Sequence, residues 1–119
     1  MYQVYLADHF LRQVKRYLRK YRSLNDDLIE TLHCFTPDSA QYLGRKLYKV
    51  RLRSKDIPKG KNKSFRLILF VFEIKSTLVP VVLYFKGDRS DILAKEIEYH
   101  LEMILADIRQ KKFISRYRS

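Results

Sequence analysis

Hydrophobic residues recur along this chain in two periods, and the switches between them mark out its elements. From Tyr48 to Arg53 the period is two: Tyr48, Val50 and Leu52 alternate with Lys49, Arg51 and Arg53. A strand sends successive side chains to opposite faces, so three cations would line one face while the other face joins a core. The next apolar run, Phe65 to Ile74, loses alternation after Arg66. That is the pattern of a strand buried on both faces in the middle of a sheet. Val79 to Lys86 follows a turn near Lys75 to Thr77, a link short enough to join only antiparallel neighbours. Pro80 falls near the start of that strand, where a missing N–H is tolerated. Tyr2 to Leu6 reads as a further short strand.

Elsewhere the period is helical. Phe10, Leu11, Val14, Leu18 and Tyr21 form a stripe from about His9 to Arg22, with Asp8 as N-cap. Leu28, Ile29, Leu32 and Phe35 point inward from a second helix at about Asp26 to Phe35, capped by Ser23 or Asn25 and ended by Pro37. Asp26, Asp27 and Glu30 suit its first turn, where the helix dipole favours negative charge. The short link between the two makes them an antiparallel hairpin. Gly87-Asp88 breaks the last strand, and Asp91 caps a final helix carrying Ile92, Ile97, Leu101, Ile104, Leu105 and Ile108. The order is thus β-α-α-β-β-β-α: an N-terminal strand, a helical hairpin, a three-stranded antiparallel meander and a C-terminal helix. This predicts a single α+β domain over residues 1–108. Residues 109–119, with five cations and no acid, read as a flexible basic tail that folding does not need.

Charge changes the picture. The chain has 119 residues and a formal charge of +12. So large an excess repels the compact state and points to an anionic partner: nucleic acid first, an acidic protein second, a membrane surface third. Ten of the 25 basic residues lie between Arg45 and Arg66 against one acid, Asp56. That is an anion-binding surface built on a sheet. The first helix adds Arg12, Lys15, Arg16, Arg19, Lys20 and Arg22, either a solvated basic face or a direct RNA or ribosome contact.

Several chemistries are excluded. One cysteine, Cys34, makes neither an internal disulfide nor a metal site by itself, and reads as a small buried hydrophobe. The start lacks a signal-peptide pattern, and no apolar run approaches the roughly 20 residues of a membrane span. A cytoplasmic, membrane-free protein is expected. There is no phosphate-binding Gly-rich loop, no H-E-x-x-H and no Cys/His cluster with zinc spacing, so neither cofactor nor metal is expected. His9, His33 and His100 fall on three different helices, away from the basic strand, and read as surface or core-edge residues.

In this order the residues resemble the RelE/ParE toxins of bacterial toxin–antitoxin systems, most closely the RelE-like branch. The resemblance rests on Phe10-Leu11 with a basic first helix, on Tyr48-Lys49-Val50-Arg51-Leu52, and on Gly60-Lys61 followed by Phe65-Arg66. It ends with Tyr84-Phe85-Lys86-Gly87-Asp88-Arg89 and Asp91-Ile92 before a terminal helix. It spans about residues 2 to 108. Asn62-Lys63-Ser64 departs from it, standing where relatives tend to carry Ser-Gly-Gly.

The resemblance implies a ribosome-dependent endoribonuclease that cuts mRNA using the substrate's own 2′-OH as nucleophile. It also implies a cognate antitoxin as partner; the oligomeric state is left open. Such a reaction needs a base, cations for the charge on the scissile phosphate, and an acid for the leaving oxygen. Lysines crowded among like charges give up a proton more readily, so Lys49, Lys61 or Lys63 could serve as base. Arg66 is the expected phosphate clamp, because a guanidinium offers two parallel donors and stays charged. Arg51 would be its companion. Lys86 and Arg89 would bind substrate or supply the acid, and Arg53 and Lys63 would hold the strand. Tyr84 or Tyr48 could stack on a base. The alternative for Arg66 is an ion pair with Glu73 or Asp88. Two other functions stay open: a ParE-like inhibitor of DNA gyrase, and a non-catalytic nucleic-acid-binding module or decayed toxin.

Overall fold

A computed structural model of the chain describes residues 2–52, 54–55 and 64–118, with 74 and 112–118 described in backbone only. Its elements are β1 (Gln3–Val4), α1 (Asp8–Leu18), α2 (Leu24–His33), β2 (Gln41–Gly44), β3 (Leu47–Leu52), β4 (Phe65–Phe72), β5 (Thr77–Phe85) and α3 (Ala94–Arg118). The strands form one sheet in the order β1-β5-β4-β3-β2. β1 runs parallel to β5, and the other neighbours are antiparallel. The expected α+β order holds, with one strand added. Among the described residues the meander has four strands, because β2 pairs with β3 at the sheet edge.

β4 is central, and its uninterrupted apolar run is the reason. Phe65, Leu67 and Leu69 on one face and Ile68 on the other are all fully buried. The helical hairpin covers the first face, where Tyr17 and Tyr21 pack edge-on against Phe65, and Phe35 against Tyr48. α3 packs on β5 and α1 through the buried Ile97 and Ile104. Pro80 sits at a register shift between β4 and β5, where a residue without an N–H interrupts nothing. At Gly87, just past β5, a Cβ would lie 2.2 Å from the Phe85 ring. A side chain there would have to displace that ring.

β1 covers only the first part of β5's outer edge. Further on, the Gln13 side chain of α1 replaces a strand. Its Nε2 donates to Val81 O at 2.9 Å, and its Oε1 accepts from Leu83 N at 3.0 Å. Gln13 is buried, so these bonds satisfy four polar groups that would otherwise be orphaned.

Several expectations are corrected. Asp8 lies inside α1, after the N-cap Ala7, and its carboxylate pairs with Lys111 at 3.5 Å. α1 ends at Leu18, short of Arg22, and leaves Leu11 exposed. α2 begins at Leu24 and turns Ile29 outward, while Cys34 follows the last turn and faces solvent. α3 starts at Ala94, so Asp91 is not its cap. That helix also includes the segment from Arg109 that the sequence assigned to a tail.

Candidate functional site

The register of β3 against β4 sets Arg51 directly opposite Arg66, and that of β4 against β5 sets Arg66 opposite Tyr84. Side chains alternate along a strand, so these three form a row across one face of the sheet, with Lys49 on the same face of β3. Arg66 is 8% exposed. Its Nη1 donates to Ser64 Oγ and, at 3.5 Å, to Phe65 O. Among the described residues no carboxylate pairs with Arg51 or Arg66, and neither Glu73 nor Asp88 serves Arg66. Burial, and after it the Arg51 charge, hold the Arg66 guanidinium below its ordinary pKa. Like charges directly opposite on paired strands repel. A bound anion would relieve that repulsion, which makes the pair the candidate site of the sheet.

Around the pair the remaining polar groups are committed. Lys49 Nζ lies 3.2 Å from Asp91 Oδ1, and Tyr84 OH donates to the same oxygen at 3.5 Å. Ile92 N–H and Lys49 in turn hold the Asp91 carboxyl below the usual carboxylate range. Burial raises the Tyr84 phenol, so it stays protonated and can donate a proton but not act as base. At 3% exposure the ring is nearly covered, so a stacking role would require it to be uncovered. Tyr48 is half-buried on the opposite face, against Phe35 and Tyr42. Arg89 makes a fork to Glu96, at 2.5 and 2.8 Å, and its Nε donates to Asp91 O at 2.9 Å. It braces the turn into α3. Lys86 is half-buried just past β5, with its N–H donating to Ser64 O at 2.9 Å. Arg53, Lys61 and Lys63 lie outside the described residues.

Three groups were not legible as a site in sequence. Asp91 was read as a helix cap and instead turns back to the sheet. Gln13 occupies a core position on the stripe of Phe10 and Val14, and a polar residue there was the available signal. His9 and His100 meet across α1 and α3, with Nε2 and Nδ1 2.7 Å apart. Burial, first of all, depresses both imidazoles. Beside the row, a cleft of about 210 Å³ is lined by residues that include Arg16, Tyr17, Tyr84, Arg89, Glu96 and His100. Among the described residues, no group of three or more His, Cys, Asp or Glu is placed to hold a metal ion, and no helix is long and apolar enough to cross a membrane.

Fold and site together define a small, strongly basic α+β domain with an arginine pair at the centre of its sheet. Among solved structures the chain is similar to an arginine-substituted mutant of the E. coli toxin RelE in the free state. There the identity is 17% and the TM-score 0.48, covering 87% of this chain and 97% of that one. It is also similar to a chain of the intact E. coli RelBE toxin–antitoxin complex, at 20% identity and a TM-score of 0.46, covering 70% of this chain and 94% of that one. No family profile and no curated protein matches the chain. At these identities and TM-scores the likeness assigns no activity.

Proposed function

We propose that the protein is the toxin of a toxin–antitoxin pair and cuts ribosome-bound mRNA. The observation that carries this reading is the arginine pair, Arg51 and Arg66 directly opposite each other on paired strands, with no carboxylate paired to either among the described residues. A binding surface can spread its cations, whereas a scissile phosphate needs them converging on one point. In the proposed reaction the substrate 2′-OH attacks the adjacent phosphorus. A P–O2′ bond forms as the P–O5′ bond breaks, leaving a 2′,3′-cyclic phosphate and a 5′-hydroxyl. Arg51 and Arg66 hold the extra negative charge on the non-bridging oxygens. Lys49, or a lysine of the loop carrying Lys61 and Lys63, takes the 2′-OH proton, and Tyr84 or Lys86 protonates the leaving oxygen. The partner is an antitoxin whose acidic segment covers the basic face.

The test is translation in a cell-free bacterial extract with 5′-end mapping of the message. Cuts within ribosome-protected codons, absent with Arg66→Ala, are the expected result. Intact message under arrested supercoiling by DNA gyrase would replace this reading with gyrase inhibition. Intact message, normal translation and normal supercoiling would leave a binding module.

A further inference from the structure

We infer that the solvent face of α1 is an RNA-binding exosite: it holds the strand that flanks the phosphate at the arginine pair. The inference rests on the ribonuclease reading for the identity of the strand, but its geometry is independent. Arg12, Lys15, Arg16 and Arg19 are all exposed, and at 100° per residue they fall within roughly a 100° arc opposite Phe10 and Val14. Among the described residues none of them is in an ion pair, and no acid follows Asp8 on α1. Around the start of α3, by contrast, cations do have partners: Arg45 pairs with Glu98, Lys49 with Asp91 and Arg89 with Glu96. The one acid of α1, Asp8, is taken by Lys111, which leaves the basic face of the helix without a carboxylate of its own.

Strand order then links the two cation sets. Arg51, Arg66 and Tyr84 cross β3, β4 and β5, about 4.8 Å per strand. α1 lies along the outer edge of β5, fixed by the two Gln13 hydrogen bonds. The cleft beside Tyr84 opens between that edge and α3, with Arg16 on its α1 wall. A strand whose phosphate sits at the arginine pair passes through this cleft and meets Arg16, then Arg12 and Arg19. The stripe from Arg12 to Arg19 extends about 10 Å along the helix. Contacts of this kind go to phosphates, so the exosite is indifferent to sequence and sensitive to salt.

The test uses the whole chain and fluorescein-labelled 2′-O-methyl oligouridines of 4 and 12 nucleotides, which lack the attacking hydroxyl and are not cut. Wild type is expected to bind the longer probe at least about tenfold more tightly. The triple variant Arg12→Gln, Lys15→Gln, Arg19→Gln alters only exposed positions on α1 and at its C-cap, and unchanged circular dichroism and melting establish its fold. It should lose the advantage of the longer probe, and the slope of log affinity against log salt should fall by about 2 units, at about 0.7 for each phosphate contact. Arg66→Met should weaken both probes alike and keep the length advantage. Failure of mRNA cutting would overturn the ribonuclease reading while leaving this comparison intact. A triple variant with wild-type affinity and slope on the 12-mer overturns the exosite. So does one that still binds RNA but no longer binds a polyglutamate peptide, because the face would then serve an acidic protein.

Discussion

Replacing Arg66 with methionine should make the protein more stable and inactive at once. Arg66 is nearly buried, lies opposite Arg51, and has no carboxylate among the described residues. Cross-strand like-charge repulsion of this kind costs about 0.2–1 kcal/mol. Taking a guanidinium out of water without a counter-charge adds to that cost. Methionine is unbranched and fills the space of the arginine stem between Ile68 and Ser64 without the charge. Against this, the hydrogen bond to Ser64 Oγ is lost, worth about 1 kcal/mol. The balance is a gain of about 1 kcal/mol, or about 4 °C in Tm for a domain of this size. Inorganic phosphate should reverse the order. At ten times its Kd it stabilises wild type by about 1.4 kcal/mol and leaves the variant nearly unmoved. The assay is thermal unfolding in low-salt buffer with and without phosphate, paired with the translation assay. A variant that melts several degrees below wild type without phosphate would refute the reasoning, because Arg66 would then be a structural residue.

Other perturbations probe the frame around the site. Gln13→Leu leaves Val81 O and Leu83 N unsatisfied in a buried setting and should cost about 2–4 kcal/mol, read as a fall in denaturation midpoint; an unchanged midpoint would mean that water replaces both bonds. Gly87→Ala drives a Cβ into the Phe85 ring and should cost about 1–3 kcal/mol by the same measurement. For His9 and His100 the folded values are depressed below the unfolded 6.5. The unfolded chain therefore takes up protons first, and stability should decline as pH falls below about 6.5. His9→Gln should flatten that decline between pH 6.5 and 5, and an equally steep profile would remove the histidine pair from it.

The fold was legible where pattern and packing coincide. The alternation at Tyr48 to Leu52 and the unbroken run of β4 specify their own faces, and the short links leave one antiparallel order. β2 escaped because its four residues show no buried face and its turn carries no Asn-Gly signal. Arg45 and Lys46 instead adopt φ of 53° and 66°, backbone values that long basic side chains rarely take. The site was half legible. A two-residue period states that Lys49 and Arg51 share a face, but which residue stands opposite Arg51 depends on register, which a loop of unspecified shape does not fix. Asp91 and the histidine pair depend on where α3 lies, and no local pattern encodes that.

The placement of α3 bears on how the site is reached. Its approach crosses the cation face through Lys49–Asp91 and Arg45–Glu98, yet Asp91 and Glu98 are 68% and 62% exposed in their side chains. Exposed pairs of this kind contribute about 0–1 kcal/mol each. What holds the helix is the burial of Ile97 and Ile104 against β5 and α1. An incoming phosphate therefore has only to outcompete one solvated carboxylate for Lys49, without lifting α3. Asp91→Asn should accordingly change Tm by less than about 4 °C, since it removes at most about 1 kcal/mol. It should also tighten binding of the 4-nucleotide probe, because the amide competes less well for the ammonium. A weaker complex with that variant would show that Asp91 positions Lys49 for the phosphate, and that the pair belongs to the working site.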